Sequence, residues 1–381
     1  MVSRIIENQI FQKLQPQRAV LVFGARRVGK TVLLKEILSK FDGKTMLLNG
    51  EDYESALLLE VKSIARYREL FAGIGLLAID EAQNITDIGK KIKLIVDEVP
   101  NIAVIATGSS AFDLMNKTGE PLVGRADSFQ LFPFSQAELN TVENRLDTER
   151  NLESRLIFGS YPDVYALQNE AERIEYLKSL INSYLLKDIL SIDGIKNSDK
   201  LLNLLRMVAF QVGSEVSYVE LAQKIGLSRN TVERYLDLLS KVFVIFRVGA
   251  FAKNLRKEIS RNSKWYFYDN GIRNALISNF SHTNIRNDTG ALWENYLIAE
   301  RVKKCNYSRN YANHYFWRTY DGQEIDIIET CGDEISAFEF KWGERSPNAP
   351  NAFSTNYPTA SYMVVNRNNY FRTPDPIFVI Q

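Results

Sequence analysis

Along the first third of the chain, short continuous apolar runs alternate with stretches in which apolar residues recur every three or four positions. Residues 18–23, 44–48, 76–80, 102–107 and 129–132 are runs of the first kind, and their length and boundaries predict strands, buried where the run is unbroken. The spacing between them predicts helices. One covers 1–15, with Ile5, Ile6, Ile10, Phe11 and Leu14 on one side; another covers 31–39, with Val32, Leu33, Leu34, Ile37 and Leu38; a charged helix covers 51–71. Strand and helix in turn read as an α/β fold.

The pattern then changes. Residues 152–205 are mostly helical, interrupted by Gly159, Ser160, Tyr161 and Pro162, with strong apolar periodicity over 171–190. In 216–248, Ser217 and Glu220 form a capping-box pattern that opens a helix to Ile225. Gly226, Leu227 and Ser228 make a turn, a second helix runs over 229–240, and a strand over 242–248. Helix, tight turn, helix and strand read as a winged helix-turn-helix, with Arg229, Asn230 and Arg234 as exposed candidates for DNA contact. Residues 253–264 carry five basic side chains against one acidic, where a wing would sit. Beyond a helix at 292–303, which carries Glu294 and Glu300, strands are predicted at 315–318, 323–328 and 335–341. In the last of these, alternation sends Glu339 and Lys341 to one face and Phe338, Phe340 and Trp342 to the other.

Composition narrows the classes. The chain has 381 residues, enough for two or three domains, and 45% apolar content supports packed cores. A net charge of +1 gives no global field towards nucleic acid, so DNA binding would need a local patch. Cys305 and Cys331 make neither a zinc site nor a disulfide framework, which suits a reducing, cytoplasmic setting. His282 and His314 are too few for a histidine-rich metal site. Neither an apolar run of membrane-spanning length nor a signal peptide is visible, and no repeats or low-complexity tracts occur.

The sharpest chemistry follows the first strand. Gly24, Ala25, Arg26, Arg27, Val28, Gly29, Lys30 and Thr31 form a complete G-x-x-x-x-G-K-T loop, with Val32 entering the helix behind it. The glycines let backbone N–H groups turn towards phosphate oxygens, and the helix N-terminus favours their charge. Lys30 is expected on the β- and γ-phosphates and the Thr31 hydroxyl on magnesium, so ATP and Mg2+ are the expected ligands. The strand at 76–80 ends in Asp80 and Glu81, the first placed for the magnesium shell and the second for polarising a water. Ser109, after the fourth strand, reads equally as a γ-phosphate sensor or as part of a turn with a helix cap at Ser110. Arg125 reads equally as an arginine finger, in cis or on a neighbouring subunit, or as half of a structural salt bridge.

GARRVGKT, LLAIDEAQ, IATGSSAFDL, the GR before FQLFPFSQAEL, and FGSYPDVY together make the chain resemble AAA-plus ATPases of the archaeal-ATPase type. The extra strand before Asp80 and the adjacent Glu81 resemble their additional-strand, catalytic-glutamate branch. The resemblance covers most of the chain. It implies a parallel sheet ordered 5-1-4-3-2 in residues 1–140, a helical lid in 141–205, a winged helix in 206–275 and a nuclease-like domain in 276–381. In that last part a helical Glu, a strand Asp and a strand Glu-x-Lys resemble the restriction-endonuclease-like core. Asp326 and Glu339 would then hold magnesium, Glu294 would assist, and Lys341 would activate or stabilise the attacking water. Two functions stay open: an ATPase coupled to DNA binding and cleavage, as monomer or homo-oligomer, and an ATP-switched signalling or scaffold protein with an inactive nuclease-like domain.

Overall fold

The computed structural model describes residues 2–60, 63–109, 122–185, 198–251 and 263–371. They fall into two compact units: residues 1–132 with 241–243, and residues 133–240 with 244–381.

In the first unit, α1 (Ile6–Lys13) leads to β1 (Ala19–Phe23), α2 (Lys30–Lys40) and β2 (Thr45–Asn49). Then come α3 (Tyr53–Leu58), α4 (Ile64–Leu70), β3 (Leu76–Asp80), α5 (Ile88–Glu98), β4 (Ala103–Gly108) and β5 (Ala126–Gln130). The five strands are parallel and ordered β2-β3-β4-β1-β5, the order the family resemblance implies. Strands β1, β3 and β4 are buried along their whole length, as their unbroken apolar runs require. The edge strands β2 and β5 are only partly buried. The edge position explains why β5 begins earlier than its apolar residues suggest: it can admit Asp127 and Ser128. One face of the sheet is covered by the apolar side of α5 (Ile88, Ile92, Ile95, Val96), together with Tyr67 and Phe71. The single helix expected over 51–71 is two, because Asp52 and Ser63 each cap a separate start by accepting the N–H of Ser55 and Arg66.

In the second unit, helices come first: α6 (Gln136–Leu139), α7 (Arg145–Phe158), α8 (Pro162–Ala166), α9 (Glu170–Ser179) and α10 (Ser198–Phe210). A π-turn over Leu180–Leu185 extends α9. The break at Gly159 is needed sterically: φ is +73° and a Cβ would stand 2.0 Å from Asp269 Oδ1. Next are β6 (Glu215–Val216), α11 (Tyr218–Ile225), α12 (Arg229–Lys241), β7 (Ile245–Ala250) and β8 (Ser263–Phe267). Ser217 caps α11 by accepting the Glu220 N–H, but the Glu220 carboxylate pairs with Lys224, so the reciprocal half of the expected box is replaced. The chain closes with α13 (Asn270–Leu276), α14 (Thr289–Tyr307), β9 (Asn313–Arg318), β10 (Glu324–Cys331), β11 (Glu334–Lys341), α15 (Asn351–Asn356) and β12 (Ser361–Asn366). All seven strands join one sheet, β12-β11-β10-β9-β7-β8-β6. The parallel pairing of β7 with β9 links β7 and β8, the strands after α12, to the C-terminal ones across residue 275. Residues 252–262, most of the expected basic segment, lie outside the described residues.

Candidate functional site

The phosphate loop is shaped by backbone before any side chain matters. Gly24 follows β1 where the chain presses on β5's continuation: a Cβ there would stand 2.2 Å from the Leu131 carbonyl oxygen. Arg27 (φ 65°) and Gly29 (φ 97°) take left-handed conformations that fold the loop back over the start of α2. No side chain caps that helix, so its first N–H groups face the loop's concavity, the arrangement that receives a phosphate. Behind the loop, buried Arg4 donates to the carbonyls of Val28 (3.2 Å) and Phe132 (2.5 Å) and fixes its outer wall.

Within the loop, the Lys30 ammonium donates to the Gly24 and Ala25 carbonyls at 2.9 and 3.0 Å. The Thr31 hydroxyl donates to Asp80 Oδ2 at 2.7 Å, and Thr107 donates to Asp80 Oδ1. Asp80 is 7% exposed, so two hydroxyls satisfy a carboxylate that would otherwise be costly to bury. Glu81 follows with a left-handed backbone (φ 46°), and its N–H donates to the Thr107 hydroxyl at 3.1 Å. Gln83 donates to the Glu81 carboxylate and lies 3.3 Å from the Ser109 hydroxyl. Gly50 makes room for this turn, since a Cβ would stand 2.3 Å from the Glu81 carbonyl oxygen. The structure therefore gathers Lys30, Thr31, Asp80, Glu81 and Ser109, and adds Thr107, Gln83 and Gly50. Gln83 and Thr107 stand within the LLAIDEAQ and IATGSSAFDL stretches, where the sequence alone assigned them no role, and Gly50 lies just beyond the end of β2.

Arg125 is elsewhere. Its carbonyl accepts the N–H of Ala19 at the start of β1, and its guanidinium pairs with Asp97 at 2.5 Å. The phosphate loop leaves the other end of β1, five residues away, or about 16 Å at ~3.3 Å per residue. An arginine side chain cannot span that distance, which removes the reading of Arg125 as a finger on its own nucleotide. Val32 points outward at 49% exposure. Ser110 and the helix expected after it lie outside the described residues.

A second polar cluster lies on the seven-stranded sheet. Glu294 projects from α14, Asp326 from β10, and Glu339 and Lys341 from β11. Asp326 accepts the Phe340 N–H at 2.6 Å, the Lys341 ammonium pairs with Glu339 Oε1, and Glu339 Oε2 is buried without a hydrogen-bond partner. The alternation along β11 is as expected, with Phe338 and Phe340 buried on the other side. Burial, reinforced by the charges of Glu294 and Glu339, pushes the Asp326 carboxyl well above the usual carboxylate range. Burial also raises Glu294, against the opposing pull of Lys264. Burial works to lower Lys341, but its bond to Glu339 and the charge of Asp326 outweigh it. Mutual shifts of this kind show that the predicted residues share one electrostatic environment.

Lys264 corrects the expected basic segment. It is not a surface phosphate contact but a core position of β8, 2% exposed, paired with Glu324 and 3.7 Å from Glu294. Arg229, Asn230 and Arg234 are exposed on α12 as expected, although Glu233 and Asp237 join Asn230 and Arg234 in lining a cavity of about 430 Å³. Glu300 is buried against Lys303 and the Gln136 N–H, which is a structural role. Cys305, His314 and Glu329 bring three metal-ligating atoms within 4.8 Å, but Arg301 holds both Glu329 oxygens.

Comparison with known proteins agrees for the first unit. Residues 16–140 match a family described as "AAA domain", while 149–283 and 289–381 match "Domain of unknown function (DUF8612)" and "Domain of unknown function (DUF4143)". An uncharacterized protein of Haemophilus influenzae is 24% identical over 88% of this chain and 85% of its own length. An uncharacterized protein of Mycobacterium tuberculosis is 24% identical over 84% and 70%. Among solved structures, a Walker-type ATPase of Pyrococcus abyssi covers 73% of this chain and 96% of its own at 16% identity, with a TM-score of 0.48. The parallel sheet, the loop and the matched segment give the first unit an AAA-type ATPase fold. No helix among the described residues is long and apolar enough to cross a membrane.

Proposed function

We propose that the chain binds ATP with magnesium at the phosphate loop and hydrolyses it, and that its second unit carries a magnesium-dependent phosphodiester-cleaving site directed at DNA. The observation that carries the first part is the link Thr31–Asp80–Thr107 beneath Lys30. On this reading Thr31 and Asp80 would hold magnesium, and Lys30 would leave the loop carbonyls for the β- and γ-phosphates. Magnesium would supply charge neutralisation of the phosphates. Glu81, held by Gln83, would take the proton of the attacking water as it meets the γ-phosphorus. Arg125 is open to a neighbouring subunit, which would make hydrolysis depend on assembly. Nucleotide binding and phosphate release, compared with Lys30→Ala, test this part: unchanged affinity and turnover in a folded variant would overturn it.

A specific observation favours the second part over a non-catalytic scaffold. Glu339 Oε2 is an orphaned acceptor beside Asp326, a pair that fits one hard cation, and Lys341 stands on the same face to meet a water or a phosphate oxygen. Arg229 and Arg234 on α12 would track the DNA backbone. Incubating plasmid with protein and magnesium, beside Asp326→Ala, distinguishes the two classes.

A further inference from the structure

We infer that Lys264 is a resident counter-ion of the acidic site and limits it to one divalent cation; this rests on the reading of Asp326 and Glu339 as the metal ligands. Lys264 arrives on β8, a strand far in sequence from the other members. Its ammonium pairs with Glu324 and stands 3.7 Å from Glu294 Oε1, with its charge over the Phe316 ring at 5.3 Å. Tyr266, two residues along β8 and so on the same face, donates to that same Glu294 oxygen at 2.6 Å. Glu294 and Glu324 are thus already engaged by a fixed cation. Asp326 and Glu339 are left, with Glu339 Oε2 unpartnered.

Two-metal phosphodiesterase sites hold their ions about 3.5–4 Å apart with bridging and flanking carboxylates; here an ammonium occupies the flanking position at Glu294. Among the described residues, the trio of donors that closes within 4.8 Å is Cys305, His314 and Glu329, so Glu294 does not complete a three-carboxylate cage with Asp326 and Glu339. Charge balance agrees. Four carboxylates (Glu294, Glu324, Asp326, Glu339) face two ammonium groups (Lys264, Lys341), a formal net of −2. One divalent cation cancels that charge, whereas two would leave an excess of +2.

The test is a titration of the full-length, nucleotide-free protein with Mn2+, with free ion read by electron paramagnetic resonance. The count is taken as the difference between each protein and the same protein carrying Asp326→Ala and Glu339→Ala, which removes any ion bound at the phosphate loop. The expected difference is one ion for the wild type, one for Lys264→Arg, and two for Lys264→Gln. Lys264→Met gives the same reading if the Gln variant does not fold. Two ions in the wild type, or one in a folded neutral variant, would overturn the role of Lys264 while leaving the metal site intact. No difference in the wild type would instead overturn the metal site on which the inference stands.

Discussion

At the scale of single residues, the phosphate loop is where sequence speaks most directly, because Gly24, Gly29 and Lys30 do their work within eight consecutive positions. Glu81→Gln preserves shape and the contact with Gln83 but cannot accept a proton. Turnover should fall about 10²–10⁴-fold, the range usual for a lost general base, with ATP still bound. Single-turnover hydrolysis alongside nucleotide affinity measures both; a wild-type rate would assign the water to another residue. Thr107 shows what the sequence hides. Its hydroxyl serves both Asp80 and the Glu81 N–H, yet it comes from a strand whose residues read only as apolar core. Thr107→Val keeps the volume and leaves Asp80 short of a donor. The cost should be about 1–3 kcal/mol of stability, seen as a lower Tm, together with weaker magnesium-dependent ATP binding. An unchanged Tm and affinity would mean that the carboxylate finds another partner.

At the scale of elements, unbroken apolar runs located β1, β3 and β4 closely, since burial on both faces leaves no choice of residue. Edge strands and helix ends were less legible. The sequence placed β5 late because an edge strand can open with polar residues, and it merged α3 with α4 because caps act through one hydrogen bond each. Least legible was the joining of β7 to β9, a parallel pair between strands more than sixty positions apart, and with it the burial of Lys264. The contact between α14 and β10 gives a prediction of its own. Burial works to raise the Glu329 carboxyl, but the Arg301 fork, helped by His314, overcomes it and holds the group at about 2. A folded-state value below the unfolded one, ~4.3 for a free glutamate, stabilises above that pH and loses its contribution as pH falls towards 2. Glu329→Gln should therefore lower stability at neutral pH and flatten its decline between pH ~4.5 and 2, as denaturant melts at several pH values would show. A parallel decline in both proteins would mean that other carboxylates govern acid unfolding.

At the scale of the whole molecule, a net charge of +1 supplies no field to draw in a polyanion, so any DNA affinity has to come from local groups and should weaken steeply with salt. If Arg229 and Arg234 contact phosphates, neutralising both should reduce the log–log salt slope by about 1.8, at ~0.9 per contact; an unchanged slope would remove α12 from the interface. The two acidic centres belong to different compact units, and the chemistry proposed for each needs only residues of its own unit. Asp326→Ala removes one of the two carboxylates offered to the cation, and Lys341→Ala removes the ammonium paired with Glu339. Either change should abolish magnesium-dependent nicking or cleavage while leaving ATP turnover close to wild type, and Lys30→Ala should do the converse for ATP. The alternation on β11 makes this worth testing. A sheet face bearing Glu339 beside Asp326, both less than a tenth exposed, is a costly arrangement for packing alone, and a bound cation would relieve it. Measuring both activities on the same preparations decides between the two functional classes. DNA left intact by wild-type protein with magnesium or manganese, with ATP still hydrolysed, would make the second unit a binding module switched by nucleotide rather than a nuclease.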